Sequence, residues 1–200
     1  MNKGVVSYIE GNVFSMIDFI YLLIKTSFFF WITLIKNLLF LGLVISFCTL
    51  FEVMDEIIAG NGLPVRTMFK EISPKYKGNK RLSFVLFGLI LYLIAFIILP
   101  FPSSINSTAA SIIKFAILYL FLLTFVLFTY ITWILVKMDL SLKKTIMYAF
   151  YLMMKRFVRT IILIFIMITL FYFSHMNIIF LIFLSPAIYA YSVNLIFKKI

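Results

Sequence analysis

Apolar residues in this chain run in stretches too long for a water-soluble core, and a few sharply polar places interrupt them. Residues 82–100, LSFVLFGLILYLIAFIILP, are free of charge; so are residues 115–136, and residues 160–197 hold no Asp, Glu, Lys or Arg, only His175. A helix rises 1.5 Å per residue and about 20 apolar residues cross a bilayer, so this pattern predicts transmembrane helices. The predicted spans cover 82–100, 112–136, 160–173 and 178–197, with Ser174, His175, Met176 and Asn177 as the polar turn between the last two. Pro100, Pro102, Ser103, Ser104, Asn106 and Ser107 cluster as breakers and predict an uncharged external loop.

The N-terminal third is also apolar over 19–51, but Lys25 and Lys36 interrupt it. The pattern predicts a helix from about residue 13 that crosses by about residue 43, then a bend at Gly42 and Ser46. A shorter return helix over 47–59 carries Glu52, Asp55 and Glu56, and the turn Gly60, Asn61, Gly62, Leu63, Pro64 follows it. Whether that return helix crosses decides between about five and about six membrane helices. Residues 1–12 lack the basic start, short apolar core and small-residue cleavage site of a removable leader, so the first helix is expected to serve as an uncleaved insertion signal.

Cationic residues gather in two connections. Arg66, Lys70, Lys75, Lys77, Lys80 and Arg81 occupy the first, and Lys137, Lys143, Lys144, Lys155, Arg156 and Arg159 the second. An excess of Lys and Arg holds a loop in the cytoplasm, which places both connections inside; Lys198 and Lys199 place the C-terminus there too. Lys114 falls on the opposite side, near enough to a helix end to snorkel. Both connections also carry helical periodicity. Val65, Met68, Phe69 and Ile72 share a face ahead of Pro74. Over 139–159, Lys144, Tyr148, Tyr151, Lys155 and Arg159 recur on one face while Ile146, Phe150, Met153 and Phe157 occupy another, and Asp139 or Ser141 is positioned to cap the start. The expected fold is an all-α polytopic bundle, one membrane-embedded domain over 1–200, with two amphipathic segments at the cytoplasmic interface. A basic segment followed by a helical hairpin occurs twice, over 64–136 and 139–200, as a duplication or as obedience to the charge rule in both halves.

Composition supports this setting: the 200 residues are 64% hydrophobic, 12% charged and 19% aromatic, with a mean hydropathy of +1.16. The net charge of +11 suggests nucleic acid, but its position beside apolar spans points to anionic lipid head groups, with Arg66, Lys70, Lys75, Lys144, Lys155 and Arg159 as candidate lipid or partner contacts. Cys48 is the only cysteine, so neither an internal disulfide nor a Cys-based zinc site is expected. His175, the only histidine, excludes a His-pair metal site, and no phosphate-cradling GxxxxGK[ST] loop occurs. With no acid, base and nucleophile set, no enzymatic activity and no cofactor are expected. Charges within spans are costly, so Lys25, Lys36 and Glu52 either snorkel at boundaries or have partners, and a Lys36–Glu52 pair across the first hairpin is the candidate polar site.

The order of these features resembles the YesL family of small bacterial membrane proteins. The resemblance lies in the aromatic first helix, Ser27, Phe28, Phe29, Phe30, Trp31, and in the Gly-containing stretch from Gly42 to Thr49. It continues through Thr67, Met68, Phe69, Lys70, Glu71, the Gly88 span, and Ser185, Pro186, Ala187, Ile188, Tyr189, Ala190 before a basic tail. It implies a multi-pass protein of the bacterial cell membrane and an accessory or scaffold role in carbohydrate uptake or its signalling, with a transporter or sensor as partner. The alternative is a small transporter or channel with a polar path in the N-terminal hairpin.

Overall fold

In hydrocarbon a helix satisfies every backbone N–H and C=O within its own segment, and among the described residues the chain forms helices and no strands. The computed structural model describes residues 3–60, 63–99, 106–138 and 140–198, with side chains from Met16 onward except at Ser107. The elements are α1 (Lys3–Lys36), α2 (Leu39–Ile58), α3 (Val65–Ile72), a 3-10 segment (Ser73–Asn79), α4 (Lys80–Ile98), α5 (Ser107–Lys137), α6 (Leu142–Lys155), α7 (Phe157–Met176), α8 (Ile178–Phe183) and α9 (Ser185–Phe197). Four stretches are long and apolar enough to cross a bilayer: Met16–Lys36, Val65–Ile98, Thr108–Lys137 and Phe157–Met176. α2 has the length but carries Glu52, Asp55 and Glu56 in its last turns, and α8 and α9 are individually short. The loop residues Pro100, Pro102, Ser103 and Ser104, the turn residues Asn61 and Gly62, the capping candidate Asp139 and the terminal Lys199 lie outside the described residues.

The first hairpin turns earlier than its glycine suggests. α1 ends at Lys36, and Leu38 makes the turn with φ 54°, the left-handed region that costs an L-residue about 1–2 kcal/mol. Gly42 and Ser46 are not a bend; both lie buried inside α2. Gly42 instead lets two helices approach: a Cβ there would sit 2.8 Å from the Asn37 Cβ and 3.1 Å from the Leu34 carbonyl oxygen. Further along, Phe30 of α1 meets Phe47 of α2 edge-on at 5.1 Å, which closes the hairpin. The return helix therefore runs from Leu39 rather than from Phe47, and it becomes the centre of the bundle, buried at Val44, Ile45, Cys48, Thr49, Leu50 and Phe51 among others.

α3 places Val65, Met68 and Phe69 in the core, the face that its periodicity predicts, and Phe69 lies 6.0 Å from Phe29 of α1. α4 then runs along α2, where buried Ser83 accepts a hydrogen bond from the Val44 N–H at 3.1 Å. Phe40 meets Phe87 at 6.0 Å, so the α1–α2 turn stands level with the first half of α4. From Phe87 to Ile98 the helix continues about 16 Å past that turn. α5 starts at Ser107, not near Ile112, because Asn106 takes the N-cap position and its side chain accepts from the Thr108 N–H. Its N-terminal half stays exposed at Ile112, Phe115, Leu118 and Tyr119, whereas its second half is buried at Val126, Phe128, Tyr130, Ile131 and Ile134. The end of α4 and the start of α5 thus form an arm that projects beyond the first hairpin.

α6 is shorter than the predicted 139–159 helix. It ends at Lys155, Arg156 leaves helical geometry, and Arg159 belongs to α7. Ser141 holds the N-cap position without a side-chain capping bond. The buried stripe of α6 is Thr145, Ala149, Leu152 and Met153, while Ile146, Phe150 and Phe157 point outward. The predicted final span over 178–197 is broken. Asn177 starts α8 by accepting from the Ile179 N–H at 2.9 Å, and Leu184 then interrupts the helix ahead of Pro186, whose ring removes a donor. α1 occupies the groups that this break frees: Ser27 Oγ accepts from the Ala187 N–H at 3.2 Å and the Trp31 indole N–H donates to the Ile182 carbonyl at 2.9 Å.

Candidate functional site

The ionisable groups of the interior converge where α2, the 3-10 segment and α5 meet. α2 delivers Glu52 and Asp55 one turn apart, so both carboxylates face neighbouring elements. Lys75 Nζ lies 2.9 Å from Glu52 Oε1, and the hydroxyl of buried Tyr76 donates to Glu52 Oε2. The Lys137 ammonium, in the last turn of α5, pairs with Asp55. These two ion pairs fasten the 3-10 segment and α5 to the same helix end. Each is partly open to solvent, which limits either to about 1 kcal/mol or less in an aqueous setting.

This arrangement differs from the candidate Lys36–Glu52 pair, the alternative to snorkelling at the boundaries. Lys36 closes α1 at the hairpin turn, whereas Glu52 lies about 20 Å away along α2. Lys25 is exposed and rests 4.1 Å over the Tyr21 ring. His175 is exposed in the last turn of α7. Of the other candidate contacts, Arg66, Lys70, Lys75, Lys144 and Lys155 are exposed and Arg159 is half-buried, all on elements at the same end of the bundle as Glu52 and Asp55. That basic end is the common ground of these six residues and Glu52, and Lys75 among them pairs with Glu52 there.

Two clefts open at the basic end. The larger, of about 570 Å³, lies between the ends of α2, α5 and α9, with Asp55, Glu56, Trp133, Lys137, Asn194 and Lys198 in its wall. The smaller, of about 300 Å³, is bounded by Lys75, Tyr76, Asn79 and Ser141. Met138 borders both. Among the described residues no group of three or more His, Cys, Asp and Glu is arranged to hold a metal ion. Cys48 is buried, with its thiol 3.7 Å from the Thr132 carbonyl.

Sequence reasoning missed Tyr76, the Asp55–Lys137 pair and Asn194. Asn194 carried a usable signal, being the sole amide within the apolar stretch after Asn177; polar residues at such positions repay attention. It donates from Nδ2 to the Phe51 carbonyl at 3.1 Å and so ties α9 to α2. Tyr76 carried none, since a tyrosine between Lys75 and Lys77 reads as an interfacial residue. No protein family, curated protein or solved structure matches this chain.

Proposed function

We propose that this chain is a multi-pass membrane protein acting as a non-catalytic accessory or scaffold, which binds a membrane-embedded transporter or sensor through the α4–α5 arm. In this reading α1, α2, α4, α5, α7 and the broken α8–α9 pair each cross the bilayer, and the basic end faces the cytoplasm with the C-terminus. α3 and α6 then lie at that interface. The outward ridge of α6, formed by Ile146, Met147, Phe150 and Met154 beside Lys143, Lys144 and Lys155, suits the boundary between acyl chains and anionic head groups.

The observation that carries the partner reading is the arm itself. Leu91, Tyr92, Ile98, Ile112, Phe115 and Tyr119 are exposed on it, beyond the point where α1 and α2 turn back, so a neighbouring helix meets two apolar faces at once. The bacterial cell membrane and the link to carbohydrate uptake rest on the resemblance to the YesL family. A photo-crosslinking side chain at Phe115 in native membranes is expected to capture a discrete partner, such as a sugar permease subunit. The same probe at Phe165, on the exposed face of α7, serves as the control, and equal, diffuse capture from both positions would sink the proposal.

A small transporter is the second reading, favoured by the break at Leu184, because transporters line their sites with interrupted helices. Against it, Ser27 and Trp31 already occupy the groups freed at the break, and Phe30 meets Phe47 where a path through the first hairpin would run. Solute uptake by the purified protein alone in proteoliposomes would establish it.

A further inference from the structure

We infer that the partner of the α4–α5 arm carries an Asp or Glu within its own membrane span, and that this carboxylate pairs with Lys36 at the foot of the arm. The pair rests on the partner reading above and gives that partner its chemistry. Lys36 is exposed in the last turn of α1, and among the described residues no carboxylate pairs with it. Glu52 and Asp55, committed to Lys75 and Lys137, stand near the opposite end of α2. The turn is otherwise apolar on its outer side, with Ile35, Leu38, Leu39 and Phe40 exposed. Asn37, the other polar side chain there, donates to the Thr33 carbonyl at 2.8 Å. A lysine in this setting needs an anion, since hydrocarbon solvates neither its charge nor its N–H donors.

Depth decides which anion can reach it. Ser83 bonds the Val44 N–H and Phe40 meets Phe87, so the turn at Leu38 stands level with the middle of α4. From Phe87 the helix runs about 16 Å further to Ile98, well beyond the reach of a lysine's four-carbon stem. Leu91 and Ile98 continue the line of Phe87 along that stretch, one and three helical turns on, and both are exposed. A lipid phosphate brought down to Lys36 would set head groups and water against those two side chains, at the cost of wetting apolar surface. A carboxylate on a neighbouring apolar helix meets both demands: it supplies the counter-charge, and the rest of its helix covers the bare line of α4. Either charge alone is expensive in hydrocarbon, and each removes the other's penalty only when the two are in contact. Such a pair also fixes the depth at which the partner docks, which two apolar faces by themselves leave free.

Dicyclohexylcarbodiimide enters membranes and activates carboxylates there; attack by a lysine amine in contact then forms an isopeptide bond and releases the dialkylurea. Native membranes holding the full chain are treated with it, and peptides containing Lys36 are read by mass spectrometry. We expect an isopeptide between Lys36 and an Asp or Glu in an apolar segment of the protein that the Phe115 probe captures. Lys36→Leu is expected to lower Phe115 capture about fivefold, the worth of one interhelical polar contact, whereas Lys36→Arg retains it. Unchanged capture in Lys36→Leu, with no isopeptide at Lys36 in the parent chain, would overturn the inference and leave the arm's partner standing. An isopeptide from Lys36 to another protein's membrane span, without discrete capture at Phe115, would do the reverse: the pair stands and the arm reading falls.

Discussion

The basic-end half of the bundle and the α4–α5 arm draw on the same apolar residue types, Leu, Ile, Phe and Tyr, yet only the first is locked together. In the locked half, small and hydroxyl-bearing residues interrupt the large ones: Gly42, Ser46, Cys48 and Thr49 on α2, Ser27 on α1, Ser83 on α4. They let backbones approach and donate or accept across helices, as at Ser83 with Val44 and Thr129 with Tyr189. The arm from Leu89 to Leu99 and from Ile112 to Leu120 keeps most of its large side chains outward, with Leu93 as a buried exception. Where lipid is as apolar as a core, hydrophobicity does not sort inside from outside; close packing and hydrogen bonding do.

That contrast is easiest to break at an aromatic in each region. Phe51→Ala removes a fully buried ring from α2 and is expected to cost about 3 kcal/mol or more in a reversible unfolding assay in mixed micelles. Phe115→Ala, 77% exposed on the arm, is expected to change the same measurement by less than about 0.5 kcal/mol. A smaller effect follows from the close approach at the hairpin. Gly42→Val forces a side chain against Asn37 and the Leu34 carbonyl, at an expected cost of about 1–3 kcal/mol, whereas Gly88→Val, with open space around it, leaves stability within about 0.5 kcal/mol. Thermal melts of the two variants side by side check the difference.

Next in size is the strap over the broken helix. Ser27→Ala leaves the Ala187 N–H unpaired, and the expected loss is about 1 kcal/mol, read by faster hydrogen exchange at the α8–α9 junction. The smallest change is a gain. Leu38→Gly relieves the left-handed backbone at the turn and is expected to stabilise by up to about 1 kcal/mol, visible as a modest rise in Tm. A fall in Tm would mean that the Leu38 side chain contributes packing that outweighs its strain.

The sequence made the apolar helices legible because each long charge-free run has one low-energy solution in hydrocarbon. It also made the buried face of α3 legible, since Val65, Met68 and Phe69 are large apolar residues in an otherwise polar segment. The turn at Leu38 was not legible. Isoleucine, lysine, asparagine and leucine around it form no breaker pattern, and Gly42 nearby drew the bend to itself although its role is contact. On α6 the strongest apolar residues, Ile146 and Phe150, proved to be outward, while the packed stripe centres on Thr145 and Ala149, which no hydrophobic periodicity picks out. The partners of Glu52 were hidden for another reason: Lys75 and Tyr76 are more than twenty residues away in the chain and reach it only through the 3-10 segment. Two segments far apart in the chain, around Ser27 to Trp31 and around Ile182 to Ala187, meet in space at the strap.

Sidedness is the claim on which the membrane account turns, and thiol labelling reads it directly. In a Cys48→Ser background, single cysteines replace Lys77 and Ser141 at the basic end and Asn106 and His175 at the far end, all exposed positions. An impermeant maleimide applied to intact cells should modify Asn106→Cys and His175→Cys, and reach Lys77→Cys and Ser141→Cys only after the membrane is opened. Labelling of Lys77→Cys or Ser141→Cys from outside sealed cells would contradict it.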